Sequence, residues 1–144
     1  MPGTDRTLPR IADLEELTEL TAGRTGLYLR YSKGPDHDTG RVSIDYESDL
    51  KLPGLSVTVL DPPDWWTRPP QDWLARQVCK YVNLNEENAS LRPWVLQGRV
   101  VGRGPDHEPL IDEVKPVAWL SDEVVRQARR RYEERFDVGR GSTG

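Results

Sequence analysis

Ile11, Leu14, Leu17 and Leu20 recur every three residues with acids between them, a spacing that predicts an amphipathic helix ending near Gly23. The period then shortens to two. Over residues 26–32, Leu27, Leu29 and Tyr31 face one way and Tyr28, Arg30 and Ser32 the other, which predicts a strand stopped by Gly34-Pro35-Asp36. Residues 33–53 are polar, are broken by Gly40 and Pro53, and read mostly as loop. Leu55–Leu60 alternates again and predicts a second strand. It runs into Asp61–Pro70, where four prolines in ten residues forbid regular structure.

Pro70 suits the first turn of a helix and is followed by the acid Asp72. Leu74, Val78 and Tyr81 share one face of that helix, with Trp73 beside it. Residues 83–90 read as a connector. Trp94–Val101 is strand-like until Arg103-Gly104-Pro105-Asp106 breaks it. Leu110–Leu120 resumes the extended pattern, with Pro116 expected at an edge or a bulge. Ser121 is an N-cap for a last helix, whose buried stripe is Val124, Val125, Ala128 and Tyr132. The predicted order is helix, strand, strand, helix, strand, strand, helix. That order favours an α+β fold, a small mostly antiparallel sheet with about three packed helices. The expected organisation is a loose lead-in over 1–10, one domain over 11–138 and a flexible tail over 139–144.

Composition adds limits. A chain of 144 residues buries enough surface for a core without staples. Five Trp and five Tyr carry much of the apolar area, since Phe and Met occur once each. A net charge of −4 argues against general nucleic-acid affinity, which needs a basic footprint. Cys79 is the single cysteine, so no intrachain disulfide forms. Met1–Arg6 has no apolar core, and no run has the length of a membrane span; a cytoplasmic protein is the expectation. No GxGxxG or Walker loop is present, so nucleotide sites of those two types are not expected.

Four features could carry chemistry. The tetrapeptide Gly-Pro-Asp-His occurs at Gly34–His37 and Gly104–His107, holds both histidines of the chain, and precedes an acid each time, Asp38 and Glu108. If the loops converged, Asp36, His37, Asp106 and His107 could hold a divalent metal; two ordinary turns are the plainer reading. Arg126, Arg129, Arg130, Arg131 and Arg135 line the last helix, where Glu133 and Glu134 stand four residues after Arg129 and Arg130 and can pair with them. Cys79 in the middle helix reads as a half-buried structural thiol. The tandem Trp65-Trp66 in the Pro-rich loop is the most unusual feature. Such a pair either anchors a ligand or partner, being large and stiff, or plugs the domain's own core.

Tyr46-Glu47-Ser48, Leu52-Pro53-Gly54-Leu55-Ser56-Val57, Asp72–Tyr81 and Gly102-Arg103-Gly104-Pro105-Asp106 together resemble an uncharacterised actinobacterial family of unknown function, over about Leu8 to Arg140. That resemblance implies no activity. A weaker similarity is to ADP-ribosyltransferases, through Tyr28-x-Arg30, then Ser56-Val57-Thr58, then Glu108 or Glu113. It implies an NAD-consuming enzyme, with NAD as cofactor, Arg30 on the pyrophosphate, Ser56 at the nicotinamide ribose and Glu108 stabilising an oxocarbenium-like transition state. The leading expectation is a domain that binds a small molecule or a protein, with Tyr28, Thr58, Trp65 and Trp66 as contact residues. The transferase, with Arg30, Ser56 and Glu108 as catalytic residues, is the alternative.

Overall fold

Two long strands, β5 (Arg92–Arg103) and β6 (Pro109–Leu120), pair antiparallel and form the spine of the domain. The computed structural model of the chain describes residues 8–38, 51–105 and 107–136. Before the spine come β1 (Arg10–Ile11), α1 (Leu14–Gly23), β2 (Tyr28–Ser32), the short α2 (Pro35–Asp38), β3 (Leu55–Ser56), β4 (Thr58–Val59), α3 (Pro70–Cys79) and α4 (Val82–Glu87); α5 (Asp122–Phe136) follows it.

The sheet runs β1-β6-β5-β2-β4, and β3 returns to pair with β6. The predicted strand over Leu55–Leu60 is thus split at Val57. Ser56 lies opposite Leu110 of β6, whereas Thr58 lies opposite Leu29 of β2. One five-residue stretch bridges two strands that are not neighbours, and so curls the sheet on itself. Gly54 makes that closure possible: a Cβ there would lie 2.6 Å from the Ile111 carbonyl oxygen, so only glycine lets the backbones approach this closely.

The mostly antiparallel sheet expected from the pattern is corrected to a mixed one, because β1 joins β6 in parallel, Arg10 opposite Trp119. Nothing local in a two-residue strand reveals its partner. The three expected helices become five among the described residues, since α2 and α4 form inside segments read as loop and connector. Leu8 packs against the core and Arg10 is already in β1. Pro116 does fall at a bulge, where the register skips Val117 between Val95–Ala118 and Leu96–Pro116.

Alternation along the strands feeds two cores. Leu29, Tyr31, Val95, Ala118 and Leu120 face the helices and meet Leu14, Leu17, Leu74, Val78, Val124 and Ala128. Trp94, Leu96 and Trp119 face the inside of the curl and meet Leu55, Val57 and Ile111. Burial on both faces explains why Trp94-Val95-Leu96 is a continuous apolar run rather than an alternating one. No described helix is long and apolar enough to cross a membrane.

Candidate functional site

A polar network closes one part of the inner core. β2 presents Tyr28, Arg30 and Ser32 on the face that β3 covers, in keeping with its period of two. Arg30 donates from Nε to Asp38 Oδ2 at 2.7 Å and from Nη1 to the Ser56 carbonyl at 2.8 Å. The Ser56 hydroxyl donates to Glu108 Oε2 at 2.6 Å. Ser32 Oγ donates to the same Asp38 oxygen at 2.5 Å and accepts from the Trp94 indole at 2.8 Å and the Gly34 amide at 3.1 Å. His37 Nδ1 lies 3.1 Å from Asp38 Oδ1. Burial pushes the Asp38 carboxyl up, but the Arg30 charge and the hydrogen bonds from Ser32, Arg30 and His37 outweigh it, and its pKa lies below the ordinary value.

Arg30, Ser56 and Glu108, far apart in sequence, are therefore consecutive members of one hydrogen-bonded chain. It also joins the acids that follow the two Gly-Pro-Asp-His copies, Asp38 at one end and Glu108 at the other. The copies themselves fold differently. The first is a helical turn, with the Asp38 amide donating to the Gly34 carbonyl and Gly34 at φ +122°. The second is the hairpin turn between β5 and β6, with His107 at φ +63° and the Gly104 amide donating to the Glu108 carbonyl. Asp106 lies outside the described residues, and among those described no three His, Cys, Asp or Glu groups gather as metal ligands. Arg30 stands between the two acids, and its charge opposes a cation there.

The other expected contact residues lie elsewhere. Tyr28 packs against the inner core and Thr58 is buried in the sheet. Trp65 and Trp66 divide the two roles that the sequence leaves open. Trp65 is 68% exposed, while Trp66 is partly buried against the helix-side core and donates from its indole to the Pro69 carbonyl at 3.2 Å. Both meet Trp73 of α3, whose ring centroid is 6.3 Å from that of Trp65 and 5.1 Å from that of Trp66, in edge-on geometry. The Trp73 indole N–H is buried and is the one such side-chain polar atom among the described residues without a hydrogen-bond partner. Arg76 extends the surface, its guanidinium 5.6 Å from the Trp73 ring centre. It leads into a cleft of about 320 Å³ lined by Arg76, Gln77, Cys79, Lys80 and Tyr132. Burial pushes the Cys79 thiol up to about 11, so this cysteine is a structural group and not a thiolate nucleophile at neutral pH.

Sequence reasoning passed over two groups. Asp38 was visible only as the acid after a repeated tetrapeptide. Asp72 was legible as a first-turn acid of α3, but its partners come from α5 and the Pro-rich loop: Arg131 at 2.6 Å, Arg68 at 3.7 Å and Arg135 at 3.8 Å. Arg129 pairs across elements with Glu86 instead of with Glu133, while Arg126 pairs within α5 with Glu123. No local signal marks a partner 59 residues away.

No curated protein and no solved structure matches the chain. One family model does, over residues 4–142, which is nearly the whole sequence. The chain belongs to that family, a family of unknown function designated DUF6098.

Proposed function

We propose that the chain is a cytoplasmic binding domain that engages a protein partner through the exposed Trp65 ring, backed by the partly buried Trp66 and the buried Trp73. The observation that carries this reading is the exposure of Trp65, 68% of which faces water although the ring stands beside two other tryptophans. Its loop is held by Pro62, Pro63, Pro69 and Pro70 and by the Trp66 amide donating to the Pro63 carbonyl at 2.9 Å. A large ring presented on a stiff loop loses little entropy on docking. A ring that projects, instead of lining a deep cavity, suits the groove of a protein better than a small molecule. Wild type and Trp65→Ala used as baits against cell extract, with captured proteins quantified by mass spectrometry, test the reading. A partner retained by wild type and lost by the variant, at unchanged melting temperature, is expected. An identical captured set, or a variant that unfolds, would count against it.

A second reading is favoured by one specific contact chain. Arg30 donates to the Ser56 carbonyl and the Ser56 hydroxyl to Glu108, which supports an NAD-consuming transferase: the bond from ribose C1′ to nicotinamide breaks, nicotinamide leaves with the electron pair, and an acceptor nucleophile bonds to C1′ and gives up its proton. It stands second because the buried Asp38 already neutralises Arg30, the group that would hold the pyrophosphate. Nicotinamide release from NAD, abolished by Arg30→Ala and Glu108→Gln, would establish it. No release with a range of acceptors would remove it.

A further inference from the structure

The seam between α3 and α5 concentrates positive charge on a chain whose net charge is −4. Arg68, Arg131 and Arg135 all draw on one carboxylate, Asp72. One turn further along α3 lies Arg76, and Lys80 follows four residues later, so both lie on one flank of the helix. Neither makes an ion pair among the described residues: Arg76 sits against the Trp73 ring and Lys80 against the Tyr81 ring, with Nζ 5.8 Å from the ring centre. Both line the cleft with Tyr132 and Gln77. Two acids act electrostatically on Cys79 in the cleft, Glu133 and Glu86, the latter held by Arg129.

Resting on the reading of the Trp65 surface, we infer that the partner segment docking there is acidic, and that one of its carboxylate side chains enters the cleft between Arg76 and Lys80. The two exposed cations each stand beside an aromatic ring and four residues apart, so an incoming carboxylate can pair with both. Tyr132 and Gln77 also line the cleft, with the Gln77 amide held by the Val59 carbonyl at 2.7 Å. The exposed Trp65 ring adjoins the cleft through the buried Trp73, which it meets edge-on and against which Arg76 lies. The site thus combines an aromatic anchor with a cationic pocket, the complement of a peptide alternating apolar and acidic residues.

The test uses the full chain and a blocked peptide that alternates leucine with glutamate, compared with its glutamine isostere, followed by NMR shifts of the Gln77–Lys80 amides. The glutamate peptide is expected to shift these signals and to weaken as salt is raised. The double variant Arg76→Glu, Lys80→Glu, whose side chains are exposed and whose melting temperature checks the fold, should bind it roughly tenfold more weakly. Equal binding of the glutamine isostere, no binding of the glutamate peptide, or an unaffected double variant would each overturn the inference. So would a dimer that the double variant dissociates, since the occupant is then a second copy of this chain. Failure of the Trp65 surface reads out separately: Trp65→Ala would then retain every captured protein even though the glutamate peptide still fills the cleft.

Discussion

Arg131 donates from Nε to Oδ1 of Asp72 across 2.6 Å, and so ties α5 to the first turn of α3 through a carboxylate that is 2% exposed. Two more arginines, Arg68 and Arg135, stand within 4 Å of that carboxylate. Arg68 also donates to the Arg135 carbonyl at 2.8 Å and covers the Phe136 ring at 4.2 Å. The Pro-rich loop, α3 and the end of α5 are thereby locked together, and this lock holds the Trp65 surface in place.

Asp72→Ala removes the shared acceptor and leaves Arg131 without its short contact. A loss of about 3–5 kcal/mol in urea unfolding is expected, the range for breaking a buried pair from one side. Arg131→Ala should cost less, because Arg68 and Arg135 remain beside the carboxylate. Equal losses from the two variants would show that Arg131 alone carries the lock.

Asp38 makes the stability of the domain depend on acid. Its carboxyl has a lower pKa in the folded chain than its ordinary value of 3.8, so the folded state binds fewer protons than the unfolded one. The contribution is complete above about pH 5 and is lost as pH falls through the folded pKa. Urea midpoints measured from about pH 6 down to about pH 2 should fall steeply for wild type and less steeply for Asp38→Asn. Parallel curves would exclude this carboxylate as the titrating group.

The two-strand bridge at Leu55–Val59 rests on one missing side chain. Gly54→Ala forces a Cβ to within 2.6 Å of the Ile111 oxygen, and a backbone carbonyl cannot swing away as a side chain can. Destabilisation of about 1–3 kcal/mol is expected from overpacking, visible in thermal melts. Gly23→Ala is the control, because nothing lies within 4 Å of a Cβ there. It should leave stability unchanged or raise it by about 0.4–1 kcal/mol.

Cys79 titrates far from neutrality, its pKa pushed up to about 11 chiefly by burial. At pH 8 roughly a thousandth of it is thiolate. Iodoacetamide labelling followed by mass spectrometry should therefore be slow at neutral pH and quicken about tenfold per pH unit towards pH 11. Labelling that levels off near pH 8 would mean an ordinary exposed thiol.

Period and punctuation along the chain were enough to locate α1, β2, α3, the long strands and α5, because each shows a clear apolar spacing and a stop signal such as Gly23, Gly34 or Ser121. Arg30, Ser56 and Glu108 were grouped by the resemblance to ADP-ribosyltransferases and not by spacing; Arg30 reaches the Ser56 carbonyl, and Glu108 the Ser56 hydroxyl. Three things had no local signature. The break at Val57 depends on which strands flank Leu55 and Thr58. The parallel pairing of β1 depends on where β6 ends. Asp72 and Asp38 find their guanidinium partners only once α5 and β2 are in place. The direction of the tandem tryptophans was the sharpest case. Adjacent rings on an irregular loop cannot both follow one periodicity, so only packing against Trp73 decided that Trp66 turns inward and Trp65 outward. Local sequence specifies elements because spacing and propensity act over a few residues; the partners of strands and charges are chosen by the closure of the whole sheet and the docking of α5 on α3.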